Sequence, residues 1–345
     1  MENKIKFLGI DIGGAHLKLV GTNIKKKIIF VSYLKCPIWE DVNNLRLHLA
    51  RLSAKIDINY VMCCITMTAE LCDCFENRNS GVRKIFAICK ESGLNFFFFS
   101  NNFSTPSKKL CTNSVSSMNW LAPAMFLKEK VKNAILIDLG STTTDITIIQ
   151  NYHLSNLSYT DFDRLKNSEL VYTGIVRTPI FSLSHSLLIE GTRLKIIPEQ
   201  FSNMADVYRI SDSLPKNVDL FSTMDKKDKS KISSLKRVSR NFGFDYTKSK
   251  KKLLQLISKK LIDIQLNLIF SSVENQLKLK GISKKPPIIA LGIGKDLIAS
   301  HCKVNNYKTE CFKKFLSGSK NLLTKAVYHA PAAACAFLLN EQNFS

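Results

Sequence analysis

Several absences narrow the field before any motif is considered. No apolar run in the 345 residues approaches the length of a membrane span. The densest, Asn95 to Ser100 with its phenylalanine run, is far too short and reads as a buried strand. The opening Met1-Glu2-Asn3-Lys4 leads to Asp11 and paired glycines that interrupt any signal-peptide core, so the expected location is the cytoplasm, without a membrane partner. No two of the ten cysteines have Cys-x-x-Cys spacing, and Cys72-Asp73-Cys74 is too close for a four-ligand zinc site by itself. Reduced, mostly buried thiols are expected instead. Acidic residues are scarce, 28 against 50 basic, for a net charge of +22. The excess lies in scattered lysine runs at 25–27, 226–229 and 248–252, with neither zinc-finger spacing nor an aromatic RNA-recognition signature. That pattern reads as a solvated lysine-rich surface, with a small anionic substrate as a second contribution and no nucleic-acid partner expected. At 45% hydrophobic, a chain of this length makes two domains with sizeable cores.

What is present is organised around ILIDLGSTTTDITII, residues 135–149. An apolar run ends in Asp138, a turn carries Gly140, Ser141, Thr142, Thr143 and Thr144, and Asp145 heads a second apolar run. The spacing predicts strand, tight turn, strand. Gly140 lets backbone approach a ligand, and the hydroxyls can donate to anionic oxygens. Aspartates beside them would repel a bare phosphate, so a divalent cation has to mediate. FLGIDIGGAHLKLVG, residues 7–21, repeats the design with Asp11, Gly13 and Gly14. Two such units resemble the paired phosphate loops of the sugar kinase, Hsp70 and actin superfamily. The resemblance implies an α/β protein with two ribonuclease-H-like domains facing a central cleft.

Strands are predicted at 6–10, 17–22 and 28–33, a helix at 41–56 with Asp41 as its cap, a strand at 60–66, a helix at 82–93 and a strand at 94–99. Polar residues 100–117, with Pro106, read as a loop or connection. This sets domain one at 1–115 with the first phosphate loop. Domain two, 116–345, holds a helix near 118–129, the second loop, a cleft-lining insertion at about 151–245, an amphipathic helix at 251–280, a strand–glycine turn–helix at 286–299, and a closing helix at 329–339.

Three further segments carry dense chemistry. Residues 65–82 bring Thr66, Thr68, Glu70, Asp73, Glu76, Asn77 and Arg78 to the end of a strand, where α/β folds place ligand sites. Such a group either binds an ammonium group or a metal, or is a solvated turn with a helix cap. Residues 164–180 combine Arg164, Glu169, Tyr172, Thr173, Gly174 and Arg177. An arginine there suits a diphosphate, and sheet-edge chemistry is the plainer reading. Asp206 and Arg209, at helical spacing, either serve a ligand or pair with each other.

Taken in order, DIGGAHLK (11–18), TMTAELCDCFENR (66–78), NWLA (119–122), LIDLGSTTTD (136–145), ELVYTGIVRTP (169–179) and ADVYR (205–209) resemble the hydantoinase/oxoprolinase-related family linked to tetrahydromethanopterin one-carbon transfer. Its characterised archaeal members are methanofuran-biosynthesis synthases. The resemblance implies transfer of an aminomethyl-furanylmethyl group from its diphosphate to the phenol oxygen of γ-glutamyltyramine. It implies magnesium on Asp11, Asp138 and Asp145, and no ATP, because the donor is already activated. Asp138 is implied in catalysis, with either Glu70 or His16 taking the phenol proton. Substrate and diphosphate binding falls to Gly13, Gly14, Lys18, Thr66, Thr68, Asp73, Asn77, Arg78, Gly140, Ser141, Thr142, Thr143, Glu169, Tyr172, Arg177, Asp206 and Arg209. Ala69 and Ser168 stand where glycine is expected, Pro123 replaces a small residue, and Met224-Asp225-Lys226-Lys227 replaces an Ala-Asp-Gly-like turn. The alternative from another class is an ATP-dependent phosphotransferase or amide hydrolase using the same loops, with LGIG (291–294) as an adenosine-side turn.

Overall fold

The computed structural model describes residues 4–101, 111–155 and 158–342. The chain opens with β1 Phe7–Ile12, β2 His16–Thr22 and β3 Lys27–Lys35. Next come α1 Asn43–Ser53, β4 Met62–Met67, α2 Arg78–Glu91 and β5 Asn95–Phe98. A short α3 Thr112–Val115 interrupts the segment expected to be loop, of which 102–110 lies outside the described residues. Then follow α4 Leu121–Lys128, β6 Asn133–Leu139, β7 Thr144–Gln150, β8 His153–Leu154, α5 Asp161–Lys166 and β9 Leu170–Val171. A hairpin, β10 Ser186–Ile189 and β11 Thr192–Lys195, precedes α6 Met204–Ile210, α7 Lys231–Arg240 and the long α8 Lys251–Leu279. The chain closes with β12 Ile288–Leu291, α9 Lys295–Val304, β13 Thr309–Glu310, β14 Ser317–Gly318, α10 Lys320–Tyr328 and α11 Ala330–Gln342.

One sheet has the order β14-β3-β2-β1-β4-β5. β1, β2 and β3 run antiparallel, while β4 lies parallel to β1 and β5 parallel to β4. Every residue of β1 is buried, as a central strand covered on both faces requires. The second sheet has the order β13-β12-β6-β7-β8, with β9 also paired to β7.

The chain divides into two compact units, each discontinuous in sequence. Unit one draws on 1–136, 147–163 and 310–345; unit two on 137–146 and 164–309. The division read from the sequence, after residue 115, followed chain order. The segment read as a cleft-lining insertion is shared between the two units. In unit one, α11 packs on β1, β2 and β4. The contact is backbone on backbone: a Cβ on Gly9 would lie 1.8 Å from the Ala332 carbonyl oxygen. Ala332, Ala333, Ala334 and Ala336, all fully buried, keep the helix thin enough to sit there. In unit two, α8 buries Leu254, Ile257, Leu261, Ile269 and Val273, the spacing of one helix face.

α2 begins at Arg78 because Asn77 accepts the Ser80 N–H while the Ser80 hydroxyl accepts the Asn77 N–H, a reciprocal cap that apolar periodicity does not reveal. All ten cysteines are free thiols. Among the described residues no single helix is long and apolar enough to cross a membrane.

Candidate active site

In unit one, the β1–β2 turn sets its polar residues in rows across the sheet. Asp11 pairs in register with Lys18 on β2 and with Thr66 on β4. Asp11 is fully buried; its Oδ2 accepts the Lys18 ammonium at 2.7 Å. Its Oδ1 has no hydrogen-bond partner among the described residues, nor has the buried hydroxyl of Thr66. Native interiors rarely leave such atoms unsatisfied, so a carboxylate oxygen held like this is suited to a bound cation, water or ligand. Gly13 and Gly14 shape the turn. A Cβ on Gly14 would meet the Cys72 sulfur at 2.8 Å, and one on Gly13 would stand 3.8 Å from Thr68 Oγ1.

Glu70 sits in the turn of 3-10 helix, Ala69–Leu71, that follows β4. Gly81 in α2 lets that helix close on the turn, since a Cβ there would lie 2.6 Å from the Glu70 carbonyl oxygen. Glu70 is 1% exposed. Its Oε1 accepts a hydrogen bond from the Ser117 hydroxyl at 2.8 Å, and its Oε2 has no hydrogen-bond partner among the described residues. Ser117 Oγ is also 3.4 Å from Asp161 Oδ2, which in turn accepts from Arg78 Nη2 at 3.0 Å. Burial pushes the Glu70 carboxyl up to about 7, against the opposing pull of the Ser117 hydrogen bond and the Arg78 charge; the nearby Asp161 charge adds to the rise. The result is a carboxyl poised to exchange a proton near neutral pH. Asp73 and Asn77 lie at the exposed rim of this segment, Asn77 as the α2 cap.

His16, almost fully buried, stacks on Tyr33 at 4.6 Å between ring centroids, and Tyr33 stacks on His329 at 5.0 Å. Burial, with the Lys18 charge adding to it, pushes His329 down to about 3. Its imidazole is therefore neutral at physiological pH.

In unit two, the β6–β7 turn is closed by the Gly140 N–H donating to the Thr143 carbonyl at 2.9 Å. The segment after β9 lies flush against it. The N–H groups of Val176 and Arg177 donate to the Ser141 carbonyl, and a Cβ on Gly174 would sit 2.4 Å from the Ser141–Thr142 peptide. From α8, the Gln265 amide donates to Thr173 Oγ1 and the Gly174 carbonyl. The LGIG turn closes on the end of β6: a Cβ on Gly292 would stand 2.2 Å from Asp138 Oδ1, and the Gly294 N–H donates to the Leu139 carbonyl. Glycines 174 and 292, from distant parts of the chain, are thus what lets backbone reach the loop.

Other residues named from the sequence have partners that the structure identifies. Asp145 accepts from Arg164 at 2.8 Å, both largely buried, and Arg164 also donates to the Glu169 carbonyl. Glu169 is buried, 3.5 Å from the Lys280 ammonium. Asp206 takes Arg237, Arg209 and the Ser234 hydroxyl, while Arg209 also pairs with Asp219. Tyr172 and Arg177 are exposed. Ser117, Asp161 and His329, which no local pattern marks, join the site only through the fold. Among the described residues no three His, Cys, Asp or Glu side chains gather as a metal cluster.

A model of the hydantoinase/oxoprolinase family matches residues 62–336. A Methanocaldococcus jannaschii protein named (4-{4-[2-(gamma-L-glutamylamino)ethyl]phenoxymethyl}furan-2-yl)methanamine synthase is 30% identical over 344 residues, covering 98% of this chain and 99% of its own. A Methanococcus vannielii protein of the same name is 30% identical over 227 residues, covering 64% of this chain and 97% of its own. A nucleotide-free acetone carboxylase structure superposes with a TM-score of 0.52 at 10% identity, covering 98% of this chain and 70% of that one; this is a likeness of fold. The fold is α/β, and each Asp-Gly turn stands between two strands, as the sequence led us to expect. With the family model spanning most of its length, this chain belongs to the hydantoinase/oxoprolinase family.

Proposed function

We propose that this protein is a transferase of methanofuran-type cofactor biosynthesis. It moves an aminomethyl-furanylmethyl group from its diphosphate to the phenol oxygen of γ-glutamyltyramine. The named relatives, which match this chain over nearly their whole lengths, supply the product. Within the molecule, the observation that carries the reading is Glu70, a buried carboxyl pushed up to about 7 with one oxygen unpartnered among the described residues.

The chemistry needs such a group. The bond between the furanylmethyl carbon and the diphosphate oxygen breaks, and its electron pair leaves with diphosphate. The furan ring spreads the positive charge on that carbon. The phenol oxygen bonds to the carbon while its proton passes to Glu70. A base whose pKa lies near the working pH is the effective one. Tightly gathered glycines and the hydroxyls of Ser141 and Thr142 suit the β6–β7 turn to hold an anionic group. Arg177 and Tyr172, exposed beside it, are assigned to the same substrate.

Magnesium fits the residues in a limited way. In unit one, Asp11 Oδ1, without a hydrogen-bond partner among the described residues, is a suitable donor; in unit two the strand-end carboxylate of Asp138 is another, and this metal commonly takes one or two protein carboxylates plus substrate phosphate. Asp145, held by Arg164, is a weaker candidate. When bound, magnesium would neutralise charge on the departing diphosphate.

A second reading has one observation in its favour: the Gly292 turn seated on Asp138, in the manner of a nucleotide-side loop. It makes the protein an ATP-dependent phosphotransferase or amide hydrolase. One assay separates the two. Purified protein is incubated with the furanylmethyl diphosphate, γ-glutamyltyramine and magnesium, without ATP, and diphosphate and the ether product are measured. We expect both from wild type, and neither with EDTA nor with Asp138→Asn, which should still fold. A protein that is silent here but splits ATP would establish the second reading instead.

A further inference from the structure

Ser117 combines three properties that surface serines do not. It is 3% exposed, its backbone is held at φ +51, and its hydroxyl faces two carboxylates from different parts of the chain. A non-glycine residue in the left-handed region is retained only where surrounding structure over-determines it, and such residues cluster at functional sites. A serine hydroxyl has one proton to give. Here two acceptors compete for it, Glu70 Oε1 at 2.8 Å and Asp161 Oδ2 at 3.4 Å. Arg78 decides the competition: its guanidinium, 3.0 Å from the same Asp161 oxygen, satisfies that carboxylate and leaves the serine proton to Glu70.

We propose that Ser117 is the positioning residue of this site: by committing its proton to Oε1 it fixes the Glu70 carboxylate and leaves Oε2 as the oxygen that takes the acceptor's proton. The proposal rests on the reading of Glu70 as base. It deepens that reading by assigning roles to three residues, Ser117, Asp161 and Arg78, that act through Glu70. The charged groups facing Glu70 are Arg78 from α2 and Asp161 from α5. Ser117, from the loop after α3, supplies the larger of two neutral hydrogen bonds, the other coming from the backbone of Glu70 itself; both favour the ionised form of Glu70 over the protonated one. Without the hydroxyl, Glu70 holds its proton to higher pH and the fraction ready to act at neutrality falls.

Two variants separate the hydroxyl from the backbone. Ser117→Ala removes the hydroxyl and keeps the strained φ; Ser117→Gly removes the hydroxyl and relieves the strain. For each, the Glu70 carboxyl is titrated by carbon-13 NMR, its signal identified by its loss in Glu70→Gln, and the acid limb of kcat/KM for ether formation is measured. We expect both variants to move the titration and the acid limb upward together by about one pH unit, the value of one hydrogen bond to a buried charge. A wild-type-like titration in Ser117→Gly, or in both variants, would overturn the proposal. Ether formation by wild type with no movement in either variant would sink the role of Ser117 and leave the function standing. A shifted titration in a protein that makes no ether would do the reverse.

Discussion

Two buried groups of unit one titrate in opposing senses, and separating them is a demanding test of the site. Glu70, ordinarily near 4.5, is pushed up to about 7, and His329, ordinarily near 6.5, is pushed down to about 3. Between 4.5 and 7 the folded chain keeps a proton on Glu70 that the unfolded chain has lost, so this group's contribution to stability falls as pH rises through that window. Between 3 and 6.5 the unfolded chain protonates the histidine and the folded chain does not, so this contribution falls as pH drops. Each slope is about 1.4 kcal/mol per pH unit, and the full Glu70 effect is about 3 kcal/mol. Where the windows overlap, from 4.5 to 6.5, the two cancel. Within that overlap wild type conceals both, and single variants reveal them. Glu70→Gln, which keeps an oxygen for Ser117, should gain stability over wild type progressively from pH 4.5 to 7. His329→Phe, which keeps a ring against Tyr33, should gain on wild type as pH falls from 6.5 toward 3. Urea unfolding of the three proteins at half-unit pH steps gives the differences directly. A Glu70→Gln difference that stays flat across pH 5 to 7 would mean that Glu70 is not held protonated by burial, and would remove the physical basis for its role as base.

Two further outcomes follow from close contacts. Gly292→Ala would thrust a Cβ to within 2.2 Å of Asp138 Oδ1 at a backbone φ of +76, so we expect lost ether formation together with a lowered unfolding temperature; unchanged turnover would show that the turn yields without disturbing Asp138. Arg164→Met removes the guanidinium from the buried Asp145 carboxylate and should cost about 3 kcal/mol in urea unfolding, since breaking a buried pair leaves a charge behind; a loss under about 1 kcal/mol would show that Asp145 is solvated by other means.

The two Asp-Gly turns were legible because each stands between short apolar runs, a local pattern, and strands in the structure flank both, β1 and β2 around Gly13 and β6 and β7 around Gly140. The long helix was legible for the same reason, but not its inward face: the apolar period suggests Leu253, Ile257, Leu261, Ile264 and Leu268, whereas the structure buries Leu254, Ile257, Leu261, Ile269 and Val273 and leaves Leu268 exposed. Boundaries set by polar atoms were less so. α2 starts earlier than its apolar residues suggest because Asn77 and Ser80 cap it. The surroundings of Glu70 were illegible on physical grounds. Ser117 and Asp161 are remote in sequence. The stacking of His329 on Tyr33 was illegible as well, since His329 arrives from the far end of the chain. Nor does any local signal say that Asp206 would be enclosed by Arg237, a partner provided by another helix.

The seating of α11 on Gly9 bears on how the molecule is made. On a ribosome β1 to β5 of the first sheet emerge early, yet the helix that covers β1 is among the last segments synthesised. Asn340, whose amide donates to the Asn23 carbonyl, lies 317 residues downstream of it. At ordinary translation speeds that interval is roughly 15–60 s. For that time the Gly9 face of the nascent sheet has no native cover. A chain stalled or cleaved before Ala330 would carry an exposed apolar strand surface suited to chaperones or to self-association, while residues 164–309 could already have gathered their own core.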